Sequence, residues 1–138
     1  MTGNEYQELA MRTNDHESSR RLLDIVEVAE NPLDMVDTGE NYTKIDVGEL
    51  INGCLGLSGE VGEFNDMIKK WIFHEQRPLD IAHAKKEISD CAWYLSLICN
   101  SFGWNLDDVF QINIDKLKAR YPEGFNVEAS AHRAKGDV

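Results

Sequence analysis

Positive charge is scarce in this chain: 14 lysines and arginines stand against 25 aspartates and glutamates, giving a formal net charge of −11 over 138 residues. Such a balance excludes general nucleic-acid binding, which needs a basic face to neutralise phosphates. A small anion held locally by a few bases remains compatible with it. Cysteine is scarcer still. Cys54, Cys91 and Cys99 form no CxxC or Cys/His array, so they read as small buried hydrophobes in a reducing compartment rather than as a disulfide framework. No apolar run approaches the ~20 residues of a membrane span, and the opening MTGNEYQEL lacks a signal-peptide core. These absences predict a cytoplasmic protein. Period-two alternation is missing as well, which argues against a sheet.

What is present is helical periodicity, in a length that suits one domain. Residues 2–12 (TGNEYQELAMR) predict a short first helix, with Tyr6, Leu9 and Ala10 at helical spacing. Residues 14–43 then carry eight acidic side chains against two arginines, or −6 of the net charge. This acidic insert reads as a solvated loop, or as a lid over a site; within it SSRRLLDIVEVAE has the pattern of a short helix. From Ile45 onward the pattern strengthens. At about 100° per residue, Leu50, Cys54, Leu57, Val61, Phe64, Ile68, Trp71 and Ile72 share one broad stripe, predicting a long helix to about His74. A second long helix is expected from Leu79 to Phe102, burying Ala84, Ile88, Cys91, Leu95 and Ile98. Gly103 stops it, and Asn105 with Asp108 predicts a capping-box start for a third helix over Leu106–Arg120. Pro122 and Gly124 end that helix, and the tail 126–138 is polar and expected to fray. The fold class is all-α: a helical bundle with two long antiparallel helices.

The first long helix contains GCLGLSGEVGE, in which Gly53, Gly56, Gly59 and Gly62 recur every third residue beside Glu60 and Glu63. A helix-interior glycine costs roughly 1 kcal/mol relative to alanine, so the run demands a reason: close approach of a neighbouring helix, or room for a ligand phosphate. Glu60 and Glu63 lie about 60° apart, well away from the centre of the apolar stripe, and Asn52, Gly56, Met67 and Lys70 share their side. Glu87 and Asp90 repeat the spacing on the next long helix, with Tyr94 one turn on. Acidic pairs three apart occur nine times in the chain, so spacing alone means little. What singles out these two pairs is their place on the two most apolar helices, which a short connection should pack face to face. Four facing carboxylates repel strongly, and they persist only with a cation or with raised pKa values. An all-oxygen donor set suits Mg²⁺ or Mn²⁺, and no His/Cys set suits zinc. On the third long helix Asn113, Lys116 and Arg120 fall within about 60° of one another. Singly they are surface groups. With Lys70 and a metal they would complete a polyphosphate clamp. His83, one turn before Glu87, reads as a surface residue.

GLSGEVGEFNDMIKKW, KKEISDCAWYL and NIDKLKARYPEGF together resemble the MazG-like all-α nucleoside-triphosphate pyrophosphohydrolases, over about residues 45–125, and EYQELAMRT resembles that family's first helix. The family's ExxE…ExxD signature falls on Glu60, Glu63, Glu87 and Asp90. The resemblance implies one domain over 1–125 with 14–43 as an insert, forming a homodimer or a dimer of dimers. It implies Mg²⁺-dependent hydrolysis of a nucleoside triphosphate to the monophosphate and pyrophosphate, with house-cleaning of non-canonical nucleotides as a family-level role. Glu60, Glu63, Glu87 and Asp90 would then be the metal ligands and catalytic residues, with one glutamate assisting water as base. Lys70, Lys116 and Arg120 would bind phosphate, and Asn52, Tyr94 and Asn113 the rest of the substrate. Tyr94 matches a base-contacting position; Lys70 stands where another member has an aromatic residue, which favours a phosphate role there. Two other readings compete. A di-iron oxidase requires Glu-x-x-His pairs, and the chain has none. A non-catalytic helical interaction module would make the carboxylates plain surface groups.

Overall fold

Thr2, Asp46, Asp80 and Asn105 each sit in extended backbone with a side-chain oxygen accepting from a backbone N–H two or three residues on. Each thereby satisfies one of the amide donors that a helix N-terminus leaves unpaired. The computed structural model describes residues 1–30 and 45–131. Their elements in order are α1 (Gly3–Met11), α2 (Ser18–Glu30), α3 (Val47–Phe73), α4 (Ile81–Ser101), α5 (Leu106–Arg120) and α6 (Val127–Ala131). The expected all-α architecture is observed, with no strand among the described residues. None of these helices is long and apolar enough to cross a membrane.

The short helix expected within the acidic insert is present as α2, where Arg20 pairs with Glu17 and Asp24, and Arg21 with Asp15. Residues 31–44 of the insert lie outside the described residues, as do 132–138 of the tail. At the start of α5, Asn105 accepts from the N–H of Asp107 at 3.0 Å. The cap is present, but the bond falls one residue short of Asp108, the position a capping box uses. Gly103, at φ 66°, turns the chain out of α4, and Phe102 stacks on Trp104 across that turn with ring centroids 4.2 Å apart.

The two long helices form the centre of the fold. Glu49 accepts from Asn100 at 2.8 Å, Gly53 faces Ile98, and Gly56 faces Tyr94. Farther along, Glu60 meets Glu87. Numbers rise on α3 as they fall on α4, so the pair is antiparallel. Gly53 and Gly56 explain part of the glycine run: a Cβ at Gly53 would lie 2.7 Å from Ile98 Cγ1, and one at Gly56 only 2.1 Å from Tyr94 Cε1. Alanine at either position would hold the helices apart.

Burial differs from expectation. Among the described residues the buried hydrophobics are Ala29 and Cys99, while Val61, Trp71, Ile72 and Ile88 of the expected core stripes are exposed. Cys54 is exposed too, and Cys91 half-buried. The physical reason is layering. A domain core needs two packed layers, and an α3/α4 pair alone supplies a single seam. The stripe read from the sequence is real, but one chain covers only its inner edge.

Candidate active site

Glu60, Glu63 and Glu87 offer oxygens that all lie within 4.8 Å of one another. α3 supplies the first two, one turn apart, and α4 brings the third across the seam. Glu87 is only 6 % exposed, and its Oε1 lies 2.7 Å from Nε2 of His83, within ion-pair reach. Partial burial raises the pKa of Glu60 above its usual 4.5, and the charges of Glu63, Asp90 and Glu87 push the same way, as does its hydrogen bond with Glu87. Asp90 is exposed and contributes no oxygen to the 4.8 Å group. It is nevertheless near enough to add to the repulsion at Glu60.

Beside this cluster, at the α3–α4 connection, opens a cavity of about 780 Å³, lined in part by Glu63, Glu87, Lys70, Trp71, Arg77 and His83. That volume falls in the range of small-molecule sites, roughly 300–1,000 Å³. Gly59 and Gly62 also line it, and a Cβ at either would meet nothing within 4 Å. The glycine run therefore divides. Gly53 and Gly56 admit the neighbouring helix, whereas Gly59 and Gly62 keep the cavity wall low. Lys70 and Lys69 each reach Asp66 at 2.5 Å, and their hydrogen bonds hold the Asp66 carboxyl down to about 2. Lys70 is thus already oriented along the cavity wall.

The other sequence candidates lie elsewhere in the single chain. Tyr94 packs on Gly56 and stands edge-on to Trp93, centroids 4.9 Å apart; it does not line the cavity. Asn52 is exposed on α3, away from the cavity lining. Asn113, Lys116 and Arg120 sit on α5, which has no extensive packing against α3 or α4, and Arg120 borders a separate hollow of about 470 Å³. Within one chain, then, the α5 bases are not gathered at the carboxylates. Sequence reasoning missed Gln76, Arg77 and His83, and assigned Trp71 to the core. For His83 a signal existed: it lies four residues before Glu87, the spacing of neighbours on one helix face.

A divalent cation fits the donor chemistry. The oxygens are all carboxylate, they repel one another at Glu60, and they lie within 4.8 Å of one another, somewhat wider than the ~4.2 Å that opposite ligands of Mg²⁺ span. The chain matches the family model for the MazG nucleotide pyrophosphohydrolase domain over residues 49–125. No curated protein and no solved structure matches it. The matched segment takes in nearly all of α3, the whole of α4 and α5, and the turn to Phe125. Covering more than half of the sequence, it makes the chain a member of the MazG nucleotide pyrophosphohydrolase domain family.

Proposed function

We propose that the protein is a Mg²⁺-dependent nucleoside-triphosphate pyrophosphohydrolase, splitting NTPs or dNTPs into the monophosphate and pyrophosphate, with Mn²⁺ as a possible substitute and house-cleaning of non-canonical nucleotides in the cytoplasm as its role. The observation that carries this reading is the convergence of Glu60, Glu63 and Glu87 at one edge of a cavity whose wall also bears Lys70 and Arg77. Family membership supplies the reaction class.

The three carboxylates, joined by Asp90 from the next turn of α4, would hold the metal. A divalent cation bound there would offset phosphate charge and acidify a water molecule. Lys70, pre-oriented by Asp66, and Arg77 bind the phosphate chain and fix its direction along the cavity. One of Glu60 and Glu63 accepts a proton as the water oxygen bonds to the α-phosphorus. The α–β bridge then breaks and pyrophosphate leaves with the bridging oxygen. Trp71 offers an aromatic surface to the nucleoside end.

The working unit in this reading is a homodimer or a dimer of dimers. Exposed apolar residues on α3 and α4, together with Phe110, Ile112, Ile114 and Leu117 on α5, support a second copy as the missing layer. Such a partner would bring Asn113, Lys116 and Arg120 of its own α5 toward the cavity, which the single chain does not do. The test is to incubate the protein with natural and modified nucleoside triphosphates, with Mg²⁺ or with EDTA, and resolve the products. Monophosphate plus pyrophosphate, abolished by EDTA, is expected. Diphosphate plus orthophosphate would overturn the cleavage position, and no turnover on any substrate would leave the interaction-module reading standing.

A further inference from the structure

The side chain of His83 is 55 % exposed, which suits the surface residue read from the sequence, yet its Nε2 lies 2.7 Å from Oε1 of a Glu87 side chain that is only 8 % exposed. An ordinary surface histidine has no reason to reach a buried carboxylate. Two contacts fix this one. Its backbone N–H donates to Oδ1 of the helix cap Asp80 at 2.9 Å, which pins the first turn of α4. From there the ring extends one turn along the helix to Oε1 of Glu87 at 2.7 Å.

A carboxylate has two oxygens, and its usefulness to a cation depends on where the second one points. Glu87 sits against Glu60 and Glu63, whose charges favour rotating it away. A polar contact 2.7 Å from Oε1 holds the carboxylate against that repulsion. We propose that His83 is a positioning residue of the candidate site: by holding Oε1 of Glu87, it presents the other oxygen toward Glu60 and Glu63 for a divalent cation. This rests on reading the three carboxylates as a cation site. The effect belongs to the site rather than to the helix, because a single pair four residues apart adds little to helix stability. It follows the general pattern in which groups outside the ligand shell orient the ligands and tune affinity.

The test compares wild type, His83→Ala and His83→Gln. The amide nitrogen of glutamine falls close to where Nε2 lies, so it can donate to the same oxygen without an imidazole. Mn²⁺ affinity is read from the free-ion signal in electron paramagnetic resonance, and the Mg²⁺ dependence of nucleotide hydrolysis is read alongside. His83→Ala is expected to weaken Mn²⁺ binding by about 10- to 100-fold and to raise the half-saturating Mg²⁺ by a similar factor. Turnover at saturating Mg²⁺ should stay near wild type, and His83→Gln should recover most of the loss. Wild-type affinity in His83→Ala, or equal losses in both variants, would overturn the proposal. A melting temperature that falls in step with affinity would make the role structural and overturn it too. Wild-type protein that binds no Mn²⁺ would remove the cation site itself, and the proposed function with it.

Discussion

Replacing Gly56 by alanine adds a methyl group where the ring of Tyr94 already lies. The new Cβ would fall 2.1 Å from Cε1, 2.4 Å from Cζ and 2.5 Å from Cδ1. Non-bonded carbons settle no closer than about 3.5 Å, so the ring or the helix must shift by roughly 1.4 Å. The obstacle is a planar ring, edge-on to Trp93, and not the end of a flexible chain. Overpacking of this kind costs about 1–3 kcal/mol, against which the better helix propensity of alanine returns about 1 kcal/mol. A net loss of up to about 2 kcal/mol is expected, or up to roughly 8 °C in melting temperature. The same change at Gly59 or Gly62 meets nothing within 4 Å and should stabilise by up to about 1 kcal/mol. Urea unfolding of the three variants at one protein concentration reads the signs directly. Removing the ring with Tyr94→Ala should turn Gly56→Ala from destabilising to stabilising. If Gly56→Ala proves as stabilising as Gly59→Ala in the wild-type background, the division of the glycine run is wrong.

Other perturbations follow from the same geometry. Because the folded pKa of Glu60 is raised above 4.5, its protonated form favours the fold. Without Mg²⁺, that contribution is fully present below pH 4.5 and is lost as pH rises through the folded pKa. The melting temperature of wild type minus that of Glu60→Gln should therefore fall with rising pH in that window, and a flat difference would refute the shift. Asp80→Ala removes the side-chain cap on the N–H of His83 and should cost about 1 kcal/mol in urea unfolding, whereas Asp80→Asn should cost far less. Light scattering should give a mass of two or four chains, and Ile112→Glu on the exposed face of α5 should reduce it. A wild-type monomer would refute the second-copy layer.

Much of this fold is legible without coordinates because its signals are local. The helix limits follow from apolar spacing and from Asn105 as a cap; Asp46 and Asp80 act as locally, within three residues, but only the structure identified them as caps. The pairing of Glu60 and Glu63 with Glu87 is legible once two long helices are joined by a short connection. Register is not local. That Gly56 meets Tyr94 while Gly59 meets nothing depends on how α3 slides along α4, and no spacing within either helix sets it. The contact of His83 with Glu87 depends on a rotamer, although their four-residue spacing is visible. Burial was misread at Val61 and Ile88 for a different reason: an apolar stripe states that something must cover it, not that the same chain does. The α5 residues Asn113, Lys116 and Arg120 share that indeterminacy, since a helix face carries no record of which copy it serves.

The most direct test of the central claim is to follow Mg²⁺-dependent release of pyrophosphate by wild type and Glu63→Gln, with the Mg²⁺-induced shift in melting temperature recorded on the same samples. Glu63 is exposed and lies in the carboxylate group, so its neutral isostere removes one charge at little cost to packing. Expected is turnover with a Mg²⁺-induced rise in melting temperature in wild type, both lost in Glu63→Gln, whose stability without Mg²⁺ is unchanged or higher. Turnover and Mg²⁺ response in Glu63→Gln equal to wild type would contradict the assignment of these carboxylates to a metal-dependent active site.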